Sequence, residues 1–130
     1  MNLDEFLKCG SRNGYICEPG FYDLYVRKSV RLLDNPSSTC KTDKFIKYKA
    51  FDIASVEVFD KGKGTFKKFV ARLRRDYPEF AIYVENVQPE KFKEGLVRMG
   101  FVRCKGVDAC FLLPPEYPLK IDDLSQLIPT

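Results

Sequence analysis

The residues with the clearest chemical meaning form a glycine turn between a predicted strand and a predicted helix. Gly62 and Gly64 lie two positions apart, and without Cβ atoms they let the backbone approach a ligand closely. A helix after this turn offers unpaired N–H groups and the positive end of its dipole. Thr65 adds a hydroxyl, and Lys61 and Lys63 add positive charge. The combination predicts an anion site, for which pyrophosphate is a suitable ligand.

The same segment has a simpler interpretation as a surface turn with basic side chains. It is not a Walker A loop, because glycine followed by Lys-Ser or Lys-Thr, with the required upstream glycine, is absent. It is not a complete G-x-G-x-x-G motif either, since the last position is occupied by Lys67. The residues alone leave both interpretations open.

Hydrophobic periodicity predicts the strand that precedes the turn. A β region runs over about 45–59, and its alternation slips over 50–53, which favours two strands with a tight connection over one long strand. In its second half one face is formed by Ala54, Val56 and Val58, and the other by Ser55 and Glu57.

A helix is predicted after the turn, with apolar residues at helical spacing: Phe66, Phe69, Val70 and Leu73. We expect Lys67, Lys68 and Arg74 on its solvent face. The apolar run 81–84 predicts a buried strand. Strand, turn, helix and strand together indicate a right-handed βαβ crossover with parallel pairing.

The N-terminal third predicts a short helix, a loop and a strand. Leu3, Phe6 and Leu7 have helical spacing, and Gly10 is placed to end that helix. The segment 11–20 is rich in glycine and polar residues and predicts a loop. Alternation then predicts a strand with one apolar face, formed by Tyr22, Leu24, Val26, Val30 and Leu32, followed by a turn over 34–38.

The C-terminal third predicts a second helix and closing strands. Pro89 is placed in the first turn of that helix, and Gly100 at its C-terminal cap. Its apolar stripe is Phe92, Leu96 and Met99. One or two strands follow over 102–113. The tail 117–130 is either a short docked helix, with Ile121, Leu124 and Leu127 inward, or frayed.

Composition agrees with one folded domain over residues 1–130. The chain is 45% hydrophobic and 14% aromatic, which is enough for a core. With 22 basic and 18 acidic residues, the net charge of +4 is too small to indicate a nucleic-acid partner. The N-terminus lacks the apolar run of a signal peptide and no stretch is long enough to span a bilayer, so we expect a cytoplasmic protein.

Cysteine and histidine usage restricts the chemistry. The five cysteines include no C-x-x-C pair, and the chain has no histidine. We therefore expect reduced cysteines, no metal site, and no Ser-His or Cys-His catalysis.

The sequence resembles the GNAT (Gcn5-related N-acetyltransferase) family over about residues 22–113. The strand, the glycines Gly62 and Gly64 and the helix match its first motif, although Phe59 stands where the family has glutamine or arginine. The run 83–87, a helix, and Gly100-Phe101 resemble its second motif. The resemblance implies an α/β fold: a mixed, mostly antiparallel central sheet flanked by helices, with a strand–glycine turn–helix–strand–helix core.

The resemblance also implies acetyl-CoA as a cosubstrate, held mainly by backbone groups. The turn, Lys61, Gly62, Lys63, Gly64 and Thr65, would contact the pyrophosphate. The backbone of Val56 and Val58 would run beside the pantetheine, where a β-bulge would supply unpaired N–H groups. Asn86 is close to a frequent asparagine of the family, at a different spacing, and is included as a cofactor contact.

Two positions depart from the family's catalytic pattern. Pro89 and Leu96 occupy the places of the frequent asparagine and of a tyrosine that protonates the departing CoA thiolate. Glu57 is our first candidate for the general base and Glu85 the second, each acting on an amine directly or through water. The alternative is that both are ordinary strand carboxylates.

Seven basic residues occupy positions 61–75 without an acidic one among them: Lys61, Lys63, Lys67, Lys68, Arg72, Arg74 and Arg75. They have three interpretations: a nucleic-acid surface, support for the CoA phosphates at the near end, or the solvated face of an amphipathic helix. Because these seven residues lie on more than one face of the helix, the interpretation as a solvated helix face is favoured for the distal arginines.

Two functions follow from these features. The first is acetyl-CoA-dependent N-acetyltransfer, by direct attack of an amine on the thioester, to a small molecule or protein acceptor. The second is a non-catalytic GNAT-fold binding or structural protein, with CoA binding and association with nucleic acid as its two variants. We expect a monomer or homodimer that does not bind membranes.

Overall fold

A computed structural model describes residues 1–34, 45–59, 62–87, 90–104, 106–114 and 127–128. The helices are α1 (Leu3–Lys8), α2 (Thr65–Asp76) and α3 (Glu90–Arg98). The strands are β1 (Asn13–Tyr15), β2 (Phe21–Asp34), β3 (Phe45–Val58), β4 (Ala81–Val84), β5 (Val102–Arg103), β6 (Cys110–Leu112) and β7 (Leu127–Ile128).

The described strands form one mixed sheet in the order β1-β2-β3-β4-β6-β5, with β7 paired to β2. Only β3 and β4 are parallel among these pairs, in the register Ala50 with Ala81 and Ile53 with Val84. They are joined through α2, which confirms the predicted βαβ order with parallel pairing. The antiparallel pairs β1–β2, β2–β3, β4–β6 and β5–β6 complete the sheet.

The helices pack against one face of the sheet. The buried cluster on this face joins Leu3 and Phe6 of α1, Phe69 of α2 and Leu96 of α3 to strand residues such as Phe51. Phe51 packs edge-on against Phe6, with ring centroids 6.1 Å apart. A second buried cluster on the other face contains Ala50, Ala81, Tyr83, Cys104, Ala109, Phe111 and Leu113. Burial on both faces explains why β4 is an unbroken apolar run.

Several predicted elements are confirmed. Helix α1 lies where Leu3 and Phe6 predicted it, with the side chain of Asn2 accepting the Glu5 N–H at its N-terminus. Helix α2 buries Phe69, Val70 and Leu73. Gly100 ends the third helical segment with a φ of +100°. Strands β5 and β6 divide the predicted closing region in two.

The prediction of two strands over 45–59 was wrong. Strand β3 is continuous from Phe45 to Val58, and the slip in alternation is a β-bulge. Val26 pairs with Ile53 and Tyr25 with Ser55, so that Ala54 is the additional residue. A bulge changes which face later side chains occupy without ending the strand.

Three smaller predictions also need correction. Tyr22 does not share the buried face of Leu24, because β2 has its own irregularity between Phe21 and Asp23 that turns Tyr22 to solvent. The predicted loop 11–20 contains the edge strand β1. Leu127 lies in a strand paired with β2, where a docked helix was one of the alternatives. Pro89, the turn after Asp34, and Ile121 and Leu124 lie outside the described residues.

Candidate functional site

The site predicted from the sequence lies where β3 continues past the end of β4. The last register pair of these strands is Ile53 with Val84, and the Ile53 carbonyl then accepts the Glu85 N–H at 2.9 Å. The second half of β3 pairs with β2 only, among the described residues. This leaves an edge of β3 beside the point where the chain leaves β4.

The bulge at Ala54 decides which backbone groups face this edge. The Phe59 N–H donates to the Gly20 carbonyl at 2.9 Å, on the β2 side. The backbone N–H groups along a strand alternate in direction. Those of Ser55 and Glu57 therefore also point toward β2, whereas those of Val56 and Val58 point away from it. The two valines named as pantetheine contacts therefore line the edge, with half-buried side chains.

The glycine turn begins α2 in a left-handed conformation. Gly62 has a φ of +86° and Gly64, the N-cap residue, a φ of +75°. The N-cap residue, Gly64, has no side chain to cap the helix, and the first turn of α2 contains no acidic residue. A Cβ atom built on either glycine meets no described atom within 4 Å. The turn therefore leaves room for a ligand beside both glycines at the start of a helix, which is compatible with an anion site.

The loop before β2 supports this turn through Gly20. A Cβ atom on Gly20 would lie 2.7 Å from Cγ2 of Thr65, and the φ of Gly20 is +88°. Thr65 is the first residue of α2, so its methyl group packs directly on the Gly20 backbone. Sequence analysis placed Gly20 in a loop and did not connect it with the site.

The basic residues of α2 divide into two groups. Lys63, Lys67 and Lys68 near its N-terminus are exposed. The distal arginines have protein partners: Arg72 pairs with Glu18, Arg75 with Asp76, and Arg74 donates to the Leu113 carbonyl at 2.6 Å. Arg74 is therefore half-buried, which corrects its predicted solvent position, and burial lowers the pKa of its guanidinium. Lys61 lies outside the described residues.

Glu57, the first candidate base, is exposed on the side of β3 opposite the helices. The neighbouring Glu57 carboxylate raises the pKa of Tyr22, because it favours the protonated hydroxyl as a hydrogen-bond donor and disfavours a phenolate beside it. Val56 and Val58, the neighbours of Glu57, line the edge of β3. Glu57 is thus the sequence neighbour of both residues whose N–H groups line the edge.

Glu85, the second candidate base, is tied into a charged network. It forms ion pairs with Arg27 and, at 3.7 Å, with Arg31. Arg31 is 5% exposed, pairs with buried Asp52 at 2.6 Å and stacks over the Tyr83 ring. Because its carboxylate is already paired with two guanidinium groups, this placement favours a structural role over proton transfer.

The last two residues to place are Asn86, which lies before α3, and Leu96, which lies in the C-terminal half of that helix. Asn86 is exposed and has a φ of +51°, a left-handed conformation that asparagine tolerates better than most residues. Leu96 is fully buried in the helix-covered core. It therefore presents no hydroxyl or other polar group to the edge of β3, and its helix position serves packing.

The described residues contain neither a metal-binding cluster nor a membrane-spanning helix. No group of three or more cysteine, aspartate or glutamate side chains is arranged to hold a metal ion in them. None of their helices is long and apolar enough to cross a membrane.

Comparison with known proteins supports the fold. Neither a scan of family models nor a search of curated proteins gives a match. Among solved structures, a mutant of the AtaT toxin matches with a TM-score of 0.50 and 16% identity, over 69% of this chain and 57% of that chain. The chain thus spans little more than half of that protein. At this identity the match establishes the fold alone: a GNAT-like mixed α/β fold, as the sequence predicted.

Proposed function

We propose that the chain binds acetyl-CoA at the glycine turn and the edge of β3, and transfers the acetyl group to an amine. The observation that carries the proposal is the left-handed glycine turn at Gly62 and Gly64, which begins α2 and follows the edge of β3 with the N–H groups of Val56 and Val58. The first offers N–H donors to a pyrophosphate, and the second offers donors to an extended amide chain. The GNAT-like fold agrees with this arrangement.

The proposed reaction is a direct transfer. The amine nitrogen bonds to the acetyl carbon, the carbon–sulfur bond breaks, and CoA leaves as a thiolate, which needs no general acid. The amine proton passes to the Glu57 carboxylate directly or through water. Backbone donors at the edge of β3 stabilise the negative charge that develops on the carbonyl oxygen.

Binding is tested by melting curves with and without acetyl-CoA. A ligand at one hundred times its Kd stabilises the native state by about 2.7 kcal/mol, which raises the Tm by several degrees. Gly64→Asp should remove this shift, because its carboxylate would occupy the anion position. Gly106→Asp is the matched control, since Gly106 also has a positive φ, +79°, and open space around its Cβ position. An equal loss in both variants, or no shift in the wild type, would contradict the proposal.

Turnover is tested separately by release of CoA in the presence of an amine. Glu57→Gln should lower kcat by roughly 10²–10⁴-fold, as expected for a positioned base. It should leave the rise in Tm that acetyl-CoA produces unchanged. Glu85→Gln should chiefly lower stability, because it unbalances the pair with Arg27 and Arg31. A wild-type rate in Glu57→Gln would exclude this carboxylate as the base.

The alternative function is CoA binding without chemistry. Two observations favour it: buried Leu96 supplies no proton donor, and Glu85 is occupied by arginines. A protein that gives the acetyl-CoA shift but releases no CoA with any of a broad set of amines would have this function.

A further inference from the structure

We propose that a surface of the sheet next to this site binds a lysine side chain presented by a protein acceptor. The aromatic–carboxylate surface, as we call it, is formed by β1, β2, the second half of β3 and the residue after it: Tyr15, Tyr22, Asp23, Tyr25, Ser55, Glu57 and Phe59. The inference deepens the proposed function, on which its catalytic part rests, and its binding part can be tested alone.

This surface lies on the face of the sheet opposite the helices. Leu24 and Val26 of β2 are buried in the cluster that contains all three helices. Since side chains alternate along a strand, Asp23 and Tyr25 point to the other side. Ser55 is hydrogen-bonded to Asp23 and therefore lies on that side too.

Strand register arranges the surface in three rows. Tyr15 is opposite Tyr25, with ring centroids 4.8 Å apart, and Tyr25 is opposite Ser55. Asp23 is opposite Glu57 in the next row. Beyond them the Tyr22 and Phe59 rings are 5.5 Å apart. The two carboxylates thus lie between two aromatic pairs.

The aromatic side chains of the outer rows are unusually exposed. Tyr15 is 71%, Tyr22 61% and Phe59 69% exposed. Grouped exposed aromatic residues mark surfaces that bind other proteins, where tyrosine is a frequent anchor. A flat sheet face also suits a peptide segment better than a small amine, because small-molecule sites are concave.

The negative charge between the two aromatic rows indicates which kind of acceptor side chain this surface binds. Like charges directly opposite in a sheet are destabilising, and here Asp23 faces Glu57. The Ser55 hydroxyl donates a hydrogen bond to Asp23, Glu57 has the Tyr22 hydroxyl as a neighbour, and none of the seven residues is basic. An ammonium group would neutralise the pair and also contact ring faces. Charge complementarity therefore points to lysine, flanked by apolar residues over the rings.

The position of this ammonium fits the proposed reaction. Glu57 is flanked by Val56 and Val58, whose N–H groups line the edge proposed to hold the thioester. The bound ammonium would lose one proton to water, and the neutral amine would then pass a second proton to Glu57 as its nitrogen bonds to the acetyl carbon. Asp23 does not take part in the transfer and acts here as a binding residue.

Binding is measured by fluorescence anisotropy with labelled peptides that carry a central lysine between apolar residues, without acetyl-CoA. Tyr15→Ala should weaken binding about tenfold, as for loss of an aromatic anchor. Asp23→Asn should weaken it several-fold, and the same peptide with glutamate at the centre should bind at least tenfold more weakly. Val107→Ala is the control, because Val107 is also exposed, at 55%, but lies outside the surface.

The outcomes separate this proposal from the proposed function. Peptide binding that depends on Tyr15 and Asp23 supports the surface even if no acetyl transfer follows. Acetyl transfer to small amines, with peptide binding unchanged by Tyr15→Ala, overturns the surface and leaves the function standing. Equal binding of the lysine and glutamate peptides overturns the surface as well. With active enzyme, Asp23→Asn should raise KM for the peptide and leave kcat within about twofold.

Discussion

The two halves of β3 belong to one strand but have opposite surroundings. Directly before Ala54, residues 50–53 pair with β2 on one side and β4 on the other, and Phe51 and Ile53 are fully buried. After Ala54 it pairs with β2 alone among the described strands, and its residues alternate between half-buried and exposed. The first half holds the domain together, whereas the second half offers backbone groups and side chains to ligands.

The change between the halves comes from one additional residue. The bulge at Ala54 turns the N–H groups of Val56 and Val58 away from β2 at the point where β4 ends. Without it, strand periodicity would direct those groups into the ladder with β2 and the valine side chains to the opposite face. A binding edge therefore requires both the bulge and the shortness of β4.

The largest expected difference between the halves concerns stability. Phe51→Ala should lower the free energy of unfolding by about 3–5 kcal/mol, because it opens a cavity against Phe6 and Phe69. Val56→Ala in the second half should cost about 1 kcal/mol, since its side chain is half-buried. Urea denaturation of both variants measures the difference. Equal losses would mean that the second half is as much a part of the core as the first.

The next effect tests the direction of the backbone groups. Glu57→Pro removes an N–H directed toward β2 and should cost about 1–3 kcal/mol for the hydrogen bond left unmade. Val58→Pro removes an N–H directed to the edge, so it should change the free energy of unfolding less than Glu57→Pro does. It should also reduce the rise in Tm that acetyl-CoA produces. The same melting curves report both quantities. If Val58→Pro is the more destabilising variant, the assigned directions are reversed.

The smallest effect concerns the support of the turn. Gly20→Ala forces a non-glycine residue into a left-handed conformation and into contact with Thr65, and should cost about 1–2 kcal/mol. Gly14→Ala is the matched control, because a Cβ there meets no described atom within 4 Å and its φ is not positive. Its stability should stay within about 0.5 kcal/mol of the wild type. Similar losses in both variants would show that Gly20 does not support the turn.

The crossover was predictable from the sequence because its signals are local. Gly62 and Gly64, the helical spacing of Phe69 and Leu73, and the apolar run of β4 each act within one element. These signals define the βαβ unit and the turn that begins its helix.

Other features depend on residues that only the folded sheet brings together. The bulge at Ala54 is a property of register with β2, and a slip in alternation cannot be told from a strand end without the partner. The ion pairs of Glu85 reach from β4 across β3 to two arginines on β2. The contact of Gly20 with Thr65 joins the loop before β2 to the start of α2, which are distant in the sequence.

The long pairing of β2 with β3 has a consequence for the order of folding. These strands are consecutive and antiparallel over nearly their whole length, so their contacts form between neighbouring parts of the chain. The parallel contact with β4 needs the closure of a larger loop through α2, and its edge partner β6 comes later still. We therefore expect the pair of β2 and β3 to form early and the edge of β3 to acquire its final surroundings among the last steps. A nascent chain would then bind ligand only after β4 has docked.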